Sequence, residues 1–175
     1  MHSLQRTLLT MSLLAFLGLA PARAIDLGAD APAITAIDQD GATVAFADIY
    51  KKGTTLVYFY PKAGTSGCTK EACSLRDSFP DLRARGLQIL GVSEDQADAQ
   101  KNFQTEYHLP FTLIADHDGA VAKAFGVPTT MGLAKRQSFL VQDGKIVWVE
   151  LNASTSKQAS DVAAALDQLA KKTNG

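Results

Sequence analysis

Seven consecutive residues, Thr54-Thr55-Leu56-Val57-Tyr58-Phe59-Tyr60, are β-branched, aromatic or aliphatic, with no polar alternation. Such a run predicts a central strand buried on both faces, because a strand with one wet face alternates with period two. Pro61 ends it, since proline has no N–H to give to a sheet ladder. A strand of this kind needs a sheet neighbour along each edge and a packed layer over each face. The rest of the chain has to supply both.

Residues 34–38 and 42–46 flank Gln39-Asp40-Gly41 and predict an N-terminal β-hairpin. Asp48-Ile49-Tyr50 predicts one helical turn. Beyond Pro61 a helix begins near Ser66 or Gly67, with Ala72, Leu75 and Phe79 at helical spacing. Pro80 kinks or restarts it, and Gly86 ends the segment beyond the kink. Residues 87–92 predict a second buried strand. Residues 96–107 predict a helix with Phe103 and Tyr107 on one face. A strand over 111–115 and a short helix over 118–125, closed by Gly126, come next. Residues 138–141 and 145–151 flank Asp143-Gly144, a strong hairpin signal. The last helix is expected over 156–172, with Thr155 and Gln158 as a capping box and Val162, Leu166 and Leu169 as its apolar face. This order predicts one α/β domain, a mixed sheet with helices on both sides. Neither an internal repeat nor a linker interrupts it.

Residues 1–24 stand apart. A short start with Arg6 leads into an apolar run over 8–20, then Ala22-Arg23-Ala24, a small-x-small cleavage pattern. The run is shorter than the roughly 20 apolar residues of a spanning helix. The expectation is a cleaved secretory signal, a domain over 25–175, and export, to the periplasm of a bacterium. The remaining 151 residues would hold 15 basic and 18 acidic side chains. With no basic patch and no run of like charge, neither nucleic acid nor an anionic membrane surface is an expected partner.

Both cysteines, Cys68 and Cys73, fall at the start of the helix after Pro61. In an exported chain a structural disulfide is the default reading of two cysteines. The spacing argues against it. Residues five apart in an intact helix are separated by roughly 8–9 Å and point about 140° apart, whereas a disulfide needs Cα atoms within about 7 Å. A bridge would have to unwind the helix it was meant to hold. A redox pair suits that geometry better than a staple, and both remain open on spacing alone. Cys68 also sits in the first helical turn, where unpaired N–H groups and the helix dipole favour an anion. A thiolate there is a nucleophile. Thr65, three residues earlier, could reach back with its hydroxyl to the thiolate or to a substrate, and Pro61 could shield one side of the pocket.

Tyr58-Phe59-Tyr60-Pro61-Lys62, Thr65-x-Gly67-Cys68-Thr69-Lys70-Glu71-Ala72-Cys73 and Arg76-Asp77 together resemble the peroxiredoxins, in particular the Q type, also called bacterioferritin comigratory protein. The resemblance continues through Leu90-Gly91-Val92-Ser93-x-Asp95, Leu109-Pro110-Phe111, Ala122-Lys123-Ala124-Phe125-Gly126-Val127 and Arg136-x-Ser138-Phe139. It implies a thioredoxin-like fold and a thiol peroxidase. Cys68 would attack the peroxide and become a sulfenic acid, and Cys73 would resolve it as an intramolecular disulfide. Thr65 and Arg136 would hold the peroxide oxygens, with backbone N–H groups of Gly67 and Cys68 beside them. Pro61 would limit solvent access, and Glu71 would orient the arginine. A thioredoxin-like dithiol would restore the pair. No metal, haem or flavin is required, and one chain suffices, so a monomer is expected. At Ser66 the chain departs from the family, which usually has proline or a similar residue there; no catalytic group is lost.

Without the resemblance, Arg136 reads as an ordinary solvated arginine before a strand. His108 and His117 show no paired ligand spacing, and Asp116-His117-Asp118-Gly119 reads as a turn. Trp148 and the tyrosines read as packing residues. Three rivals remain. A disulfide-exchange protein normally uses Cys-x-x-Cys, whereas four residues lie between these cysteines. A copper chaperone would need two thiolates with three residues between them and a nearby histidine. An exported non-catalytic domain would use the bridge as a staple.

Overall fold

The computed structural model describes residues 25–173, so the secretory-signal reading of residues 1–24 lies outside the described residues. In chain order the elements begin with β1 (Thr35–Asp38), β2 (Thr43–Ala45), α1 (Phe46–Tyr50) and β3 (Thr55–Phe59). Then come α2 (Ser66–Asp77), α3 (Phe79–Ala84), β4 (Gln88–Ser93), α4 (Ala97–Glu106) and β5 (Thr112–Ala115). The last are α5 (Ala120–Ala124), β6 (Thr129–Thr130), β7 (Leu133–Ala134), β8 (Gln137–Gln142), β9 (Lys145–Glu150) and α6 (Gln158–Thr173).

β3 is buried at all five positions and lies inside a seven-stranded sheet of order β2-β1-β5-β4-β3-β8-β9. It runs parallel to β4, which runs parallel to β5, and antiparallel to β8. The N-terminal hairpin adds antiparallel to β5, which makes the sheet mixed. Alternation along β3 divides the core. Leu56, Tyr58 and the following Tyr60 face a layer that holds Ala72 and Leu75 of α2, Leu82 of α3, Phe103 of α4, and Val162 and Leu166 of α6. Val57 and Phe59 face the other layer, with Phe46 of α1, Val121 of α5, Phe125 and Phe139. This is why the run shows no polar alternation: neither face of β3 meets water.

The local signals act as expected at several points. Asp143 and Gly144 both have positive φ, 52° and 72°, which suits a tight two-residue hairpin. Pro80 sits in the first turn of α3, where its missing N–H has no helical acceptor to lose. Two expectations need correction, and one element is new. The capping box at Thr155 and Gln158 does not form. The helix begins at Gln158, and the buried Gln158 amide instead donates to Ser138 Oγ at 2.7 Å, tying α6 to β8. The helix expected over 118–125 shrinks to α5. The buried Asp116 carboxylate accepts the N–H groups of Val121 and Ala122, both at 2.8 Å, and so keeps residues 117–119 in a turn. The β6–β7 hairpin has no counterpart among the expected elements. Its strands have two residues each, too short for any periodicity, with Met131 and Gly132 at positive φ in the turn.

One close approach fixes a glycine. Gly91 on β4 pairs with Tyr58 on β3, and a Cβ at Gly91 would lie 2.7 Å from the Tyr58 hydroxyl and 2.8 Å from Leu113 Cδ2. The end of the Tyr58 ring fills the space that a side chain at Gly91 would take. Its hydroxyl, fully buried, has no hydrogen-bond partner. Gly91→Ala should therefore lower unfolding stability by about 1–3 kcal/mol through overpacking. Tyr58→Phe should be neutral or stabilising, because it removes an uncompensated buried polar group. The double variant should recover part of the Gly91→Ala loss in urea unfolding, since the deleted hydroxyl is the nearest clashing atom.

Candidate active site

α2 starts where β3 has just left the sheet. Thr65 is its N-cap, with extended backbone (φ −78°, ψ 149°), and the Thr65 carbonyl accepts the Thr69 N–H at 2.8 Å. Cys68 is the third helical residue and is 2% exposed. Its position in the first turn leaves the backbone N–H groups around it without acceptors inside the helix. Glu71, three residues on, shares the helix face with Cys68 and is fully buried.

The arginine arrives from another part of the chain. The short β6–β7 hairpin ends two residues before Arg136, and β8 begins immediately after it. This delivers the guanidinium across the N-terminal end of α2. Arg136 Nη2 donates to Cys68 Sγ at 3.2 Å, and Nη1 forms an ion pair with Glu71 Oε2. The Arg136 side chain is only 16% exposed. Gly67 leaves room for it: a Cβ there would sit 3.6 Å from Arg136 Nη2 and 3.4 Å from Thr155 Cγ2. The loop after β9 thus covers the same helix end.

Glu71 holds a proton more tightly than an ordinary carboxylate. Burial pushes it up to about 8, although the Arg136 guanidinium pulls the other way through its charge and its hydrogen bond. Only one of its oxygens is paired; Oε1 has no hydrogen-bond partner, so half of the carboxyl loses its hydration without compensation.

Of the residues singled out in the sequence, Cys68, Gly67, Arg136 and Glu71 come together. Pro61 lies half-buried at the end of the central strand. Thr65 does not contact the sulfur. Its hydroxyl is exposed and donates to the Lys62 carbonyl at 3.0 Å, a bond within the loop that competes with reaching back. Cys73 is half-buried on the same uninterrupted helix, and both cysteines are free thiols. One turn beyond it, Arg76 Nη1 donates to the Tyr107 carbonyl at 2.8 Å and pins that end of α2 to the end of α4. The sequence reading assigns no role to the residues under the loop. Asp95 Oδ2 accepts the Ala63 N–H at 2.7 Å. Their one legible signal is position, since Asp95 follows the C-terminal end of a parallel strand, where α/β sheets place their sites.

Residues 27–149 match the AhpC/TSA family. Chloroplastic peroxiredoxin Q of Oryza sativa subsp. japonica is 38% identical over 125 residues, which is 70% of this chain and 57% of that protein. The chain therefore spans little more than half the length of that relative. Among solved structures, peroxidoxin BcpB of Mycobacterium tuberculosis superposes with a TM-score of 0.76 at 30% identity, covering 81% of this chain and 96% of that one. The bacterioferritin comigratory protein of Xanthomonas campestris, studied for alkyl peroxide reduction, superposes with a TM-score of 0.75 at 28% identity, covering 83% and 99%.

The raised Glu71 carboxyl has a consequence for stability. A group moved from 4.5 to about 8 on folding stabilises the fold fully below pH 4.5, and that contribution is lost as pH rises through about 8. Glu71→Gln keeps an oxygen for Arg136 and removes the titration. The urea midpoint of the wild type should fall relative to that of Glu71→Gln between pH 4.5 and about 8. Midpoints that stay parallel across this window would show that the carboxyl is not raised.

Proposed function

Because the chain belongs to the AhpC/TSA family and shares the thioredoxin-like fold of its peroxiredoxin neighbours, we propose that it is a thiol peroxidase for hydrogen peroxide and organic hydroperoxides, acting in antioxidant defence. The observation that carries this reading is the Arg136 guanidinium 3.2 Å from Cys68 Sγ in the first turn of α2. A fixed cation and free helix N–H groups at one sulfur stabilise negative charge there before and during attack.

The proposed sequence uses this chain's own groups. The Cys68 thiolate attacks one peroxide oxygen, the O–O bond breaks, and the departing oxygen leaves as water or an alcohol after taking a proton. Cys68 is then a sulfenic acid. Arg136, with its second amine at Glu71, would hold the oxygen that takes up charge. Backbone N–H groups of Gly67 and Cys68 would support it. Since the Thr65 hydroxyl spends its proton on the Lys62 carbonyl, its lone pairs are left to accept the O–H of a bound peroxide. Pro61 would keep bulk water off the sulfur. The Cys73 thiol then attacks the sulfenic sulfur, water leaves, and a Cys68–Cys73 disulfide remains. A thioredoxin-like dithiol would reduce it by exchange. The cycle needs one chain only, which suits a monomer, and it needs no bound cofactor. The signal-like residues 1–24 support placing it outside the cytoplasm, in a bacterial periplasm.

The copper-chaperone alternative fits poorly, because a guanidinium against Cys68 Sγ repels a second cation at that sulfur. Disulfide exchange alone would not need an arginine buried beside the nucleophile.

The test is direct. Reduced protein given one equivalent of hydrogen peroxide should lose two hydrogens by mass, with one Cys68–Cys73 bridge in the peptide map. Cys73→Ser should stop at a Cys68 sulfenic acid that dimedone traps, and Cys68→Ser should not react. Arg136→Met should slow the step by about 10²–10³-fold, as for loss of a charge-stabilising donor. Oxidation of the wild type no faster than a free cysteine would sink the peroxidase reading.

A further inference from the structure

Four polar side chains lie behind the cysteine loop and take no part in the proposed chemistry. The Tyr60 hydroxyl donates to Gln100 Oε1. Gln100 Nε2 donates to Ser93 Oγ at 2.8 Å and to the Ile114 carbonyl at 2.9 Å. The Ser93 hydroxyl donates to Asp95 Oδ2 at 2.7 Å, and the same oxygen accepts the Ala63 N–H, also at 2.7 Å. Tyr60, Ser93 and Gln100 are buried.

Donors and acceptors along this path match throughout. Tyr60 and Ser93 each donate one hydroxyl proton, and both Gln100 amide protons find acceptors. Asp95 closes the path as an acceptor of two donors, so a carboxylate suits the position better than a neutral group. The path starts one residue before Pro61 and ends two residues after it. It fastens the start of the turn that leads from β3 into α2, at Tyr60, and its middle, at Ala63, to the end of β4.

Beyond this path, the half-buried Ala63 packs against the core layer, and the rest of the turn has little to hold it. Lys62, Gly64, Thr65 and Ser66 are exposed, and Gly64 has φ 72°. The Thr65 side chain caps no N–H of α2. Its one bond, to Lys62, lies inside the loop and moves with it.

We propose that Asp95 is a positioning residue. It anchors loop 61–65, and through that loop the first turn of α2, in the shape that brings Cys68 to Arg136. Ser93, Gln100 and Tyr60 hold Asp95 and the strand end in turn. What the shape is used for rests on the thiol-peroxidase reading; the anchoring itself does not. Losing the anchor loosens the loop without touching the sulfur, the guanidinium or Cys73. It should act differently on two steps: slower attack on peroxide, which needs the closed loop, and disulfide formation that is unchanged or faster, because that step needs the first turns of α2 unwound.

The test compares wild type, Asp95→Asn and Asp95→Ala as reduced full chains, by hydrogen exchange, unfolding midpoint and stopped-flow oxidation. Amides of residues 62–69 should exchange at least about tenfold faster in Asp95→Ala, the scale of one lost charge-assisted hydrogen bond. Amides of β3, β4 and β8 should be unchanged. Asp95→Asn, which keeps an acceptor oxygen but no charge, should fall between, and it carries the test alone if Asp95→Ala does not fold. Sulfenic acid formation should slow in the same order, while the following disulfide step does not. Unchanged exchange at 62–69 would overturn the proposal. So would faster exchange spread evenly over the domain with a lowered midpoint, which is plain loss of stability. If the wild type itself is inert to peroxide, the peroxidase reading fails, while the exchange pattern still decides the anchor.

Discussion

One guanidinium stands between two acids. Arg136 touches Cys68 Sγ with one amine and Glu71 Oε2 with the other, and all three side chains are largely shielded from water. A single positive charge compensates one negative charge well and two poorly. Burial weakens the claim of Glu71 on that charge, because it pushes the carboxyl up to about 8. In its protonated form Glu71 still accepts a hydrogen bond from the arginine and, under the proposed chemistry, leaves its charge to the Cys68 thiolate. The orphaned Oε1 is part of how this works. A second donor to that oxygen would favour the carboxylate and draw the guanidinium's charge away from Cys68.

That arrangement depends on α2 being a helix. Cys68 and Glu71 share one face only at helical spacing, and Arg136 reaches both only while that face is docked on the sheet. The same regular helix holds Cys73 away from Cys68, five positions on. Under the proposed chemistry, oxidation removes the negative charge that the arginine was holding. The interaction favouring the closed helix therefore weakens at the step where Cys73 has to move. Charge at one sulfur thus biases the conformation of the element that carries it.

Much of this is legible in the sequence, for reasons that differ by element. The buried β3 run, the Pro61 stop and the Asp143-Gly144 turn are local signals, and each is met at its expected place. Cys68 and Cys73 can be placed by counting along a helix. Arg136 cannot, since nothing near it marks an arginine for a site 68 residues away; only the resemblance to a family assigns it. The element that delivers it, the β6–β7 hairpin, is too short to have a period. Thr65 lies at the helix start, as its position predicts, but its hydroxyl has a nearer acceptor in Lys62. Gln158 reads as a local cap, yet its amide serves a strand 20 residues back. Side chains that bond across the fold leave no trace in spacing.

The bonds around α2 also limit how far it can open. At the N-terminal side, loop 61–65 is fastened at Ala63 to Asp95. At the C-terminal side, Arg76 is fastened to the Tyr107 carbonyl, with Ala72 and Leu75 packed in the core beneath. An opening that broke all of these would expose much of one core layer, at a cost comparable with unfolding. An opening between them need free only the first turns, where the helix is exposed at Ser66 and Lys70 and lacks a side-chain cap. Cys73 lies inside that interval, three residues before Arg76. Under the proposed chemistry, the place where the second cysteine can be of use is therefore bounded on both sides. It must be far enough along for the intact helix to keep it from Cys68, and close enough for a partial unwinding, short of the Arg76 anchor, to set it free.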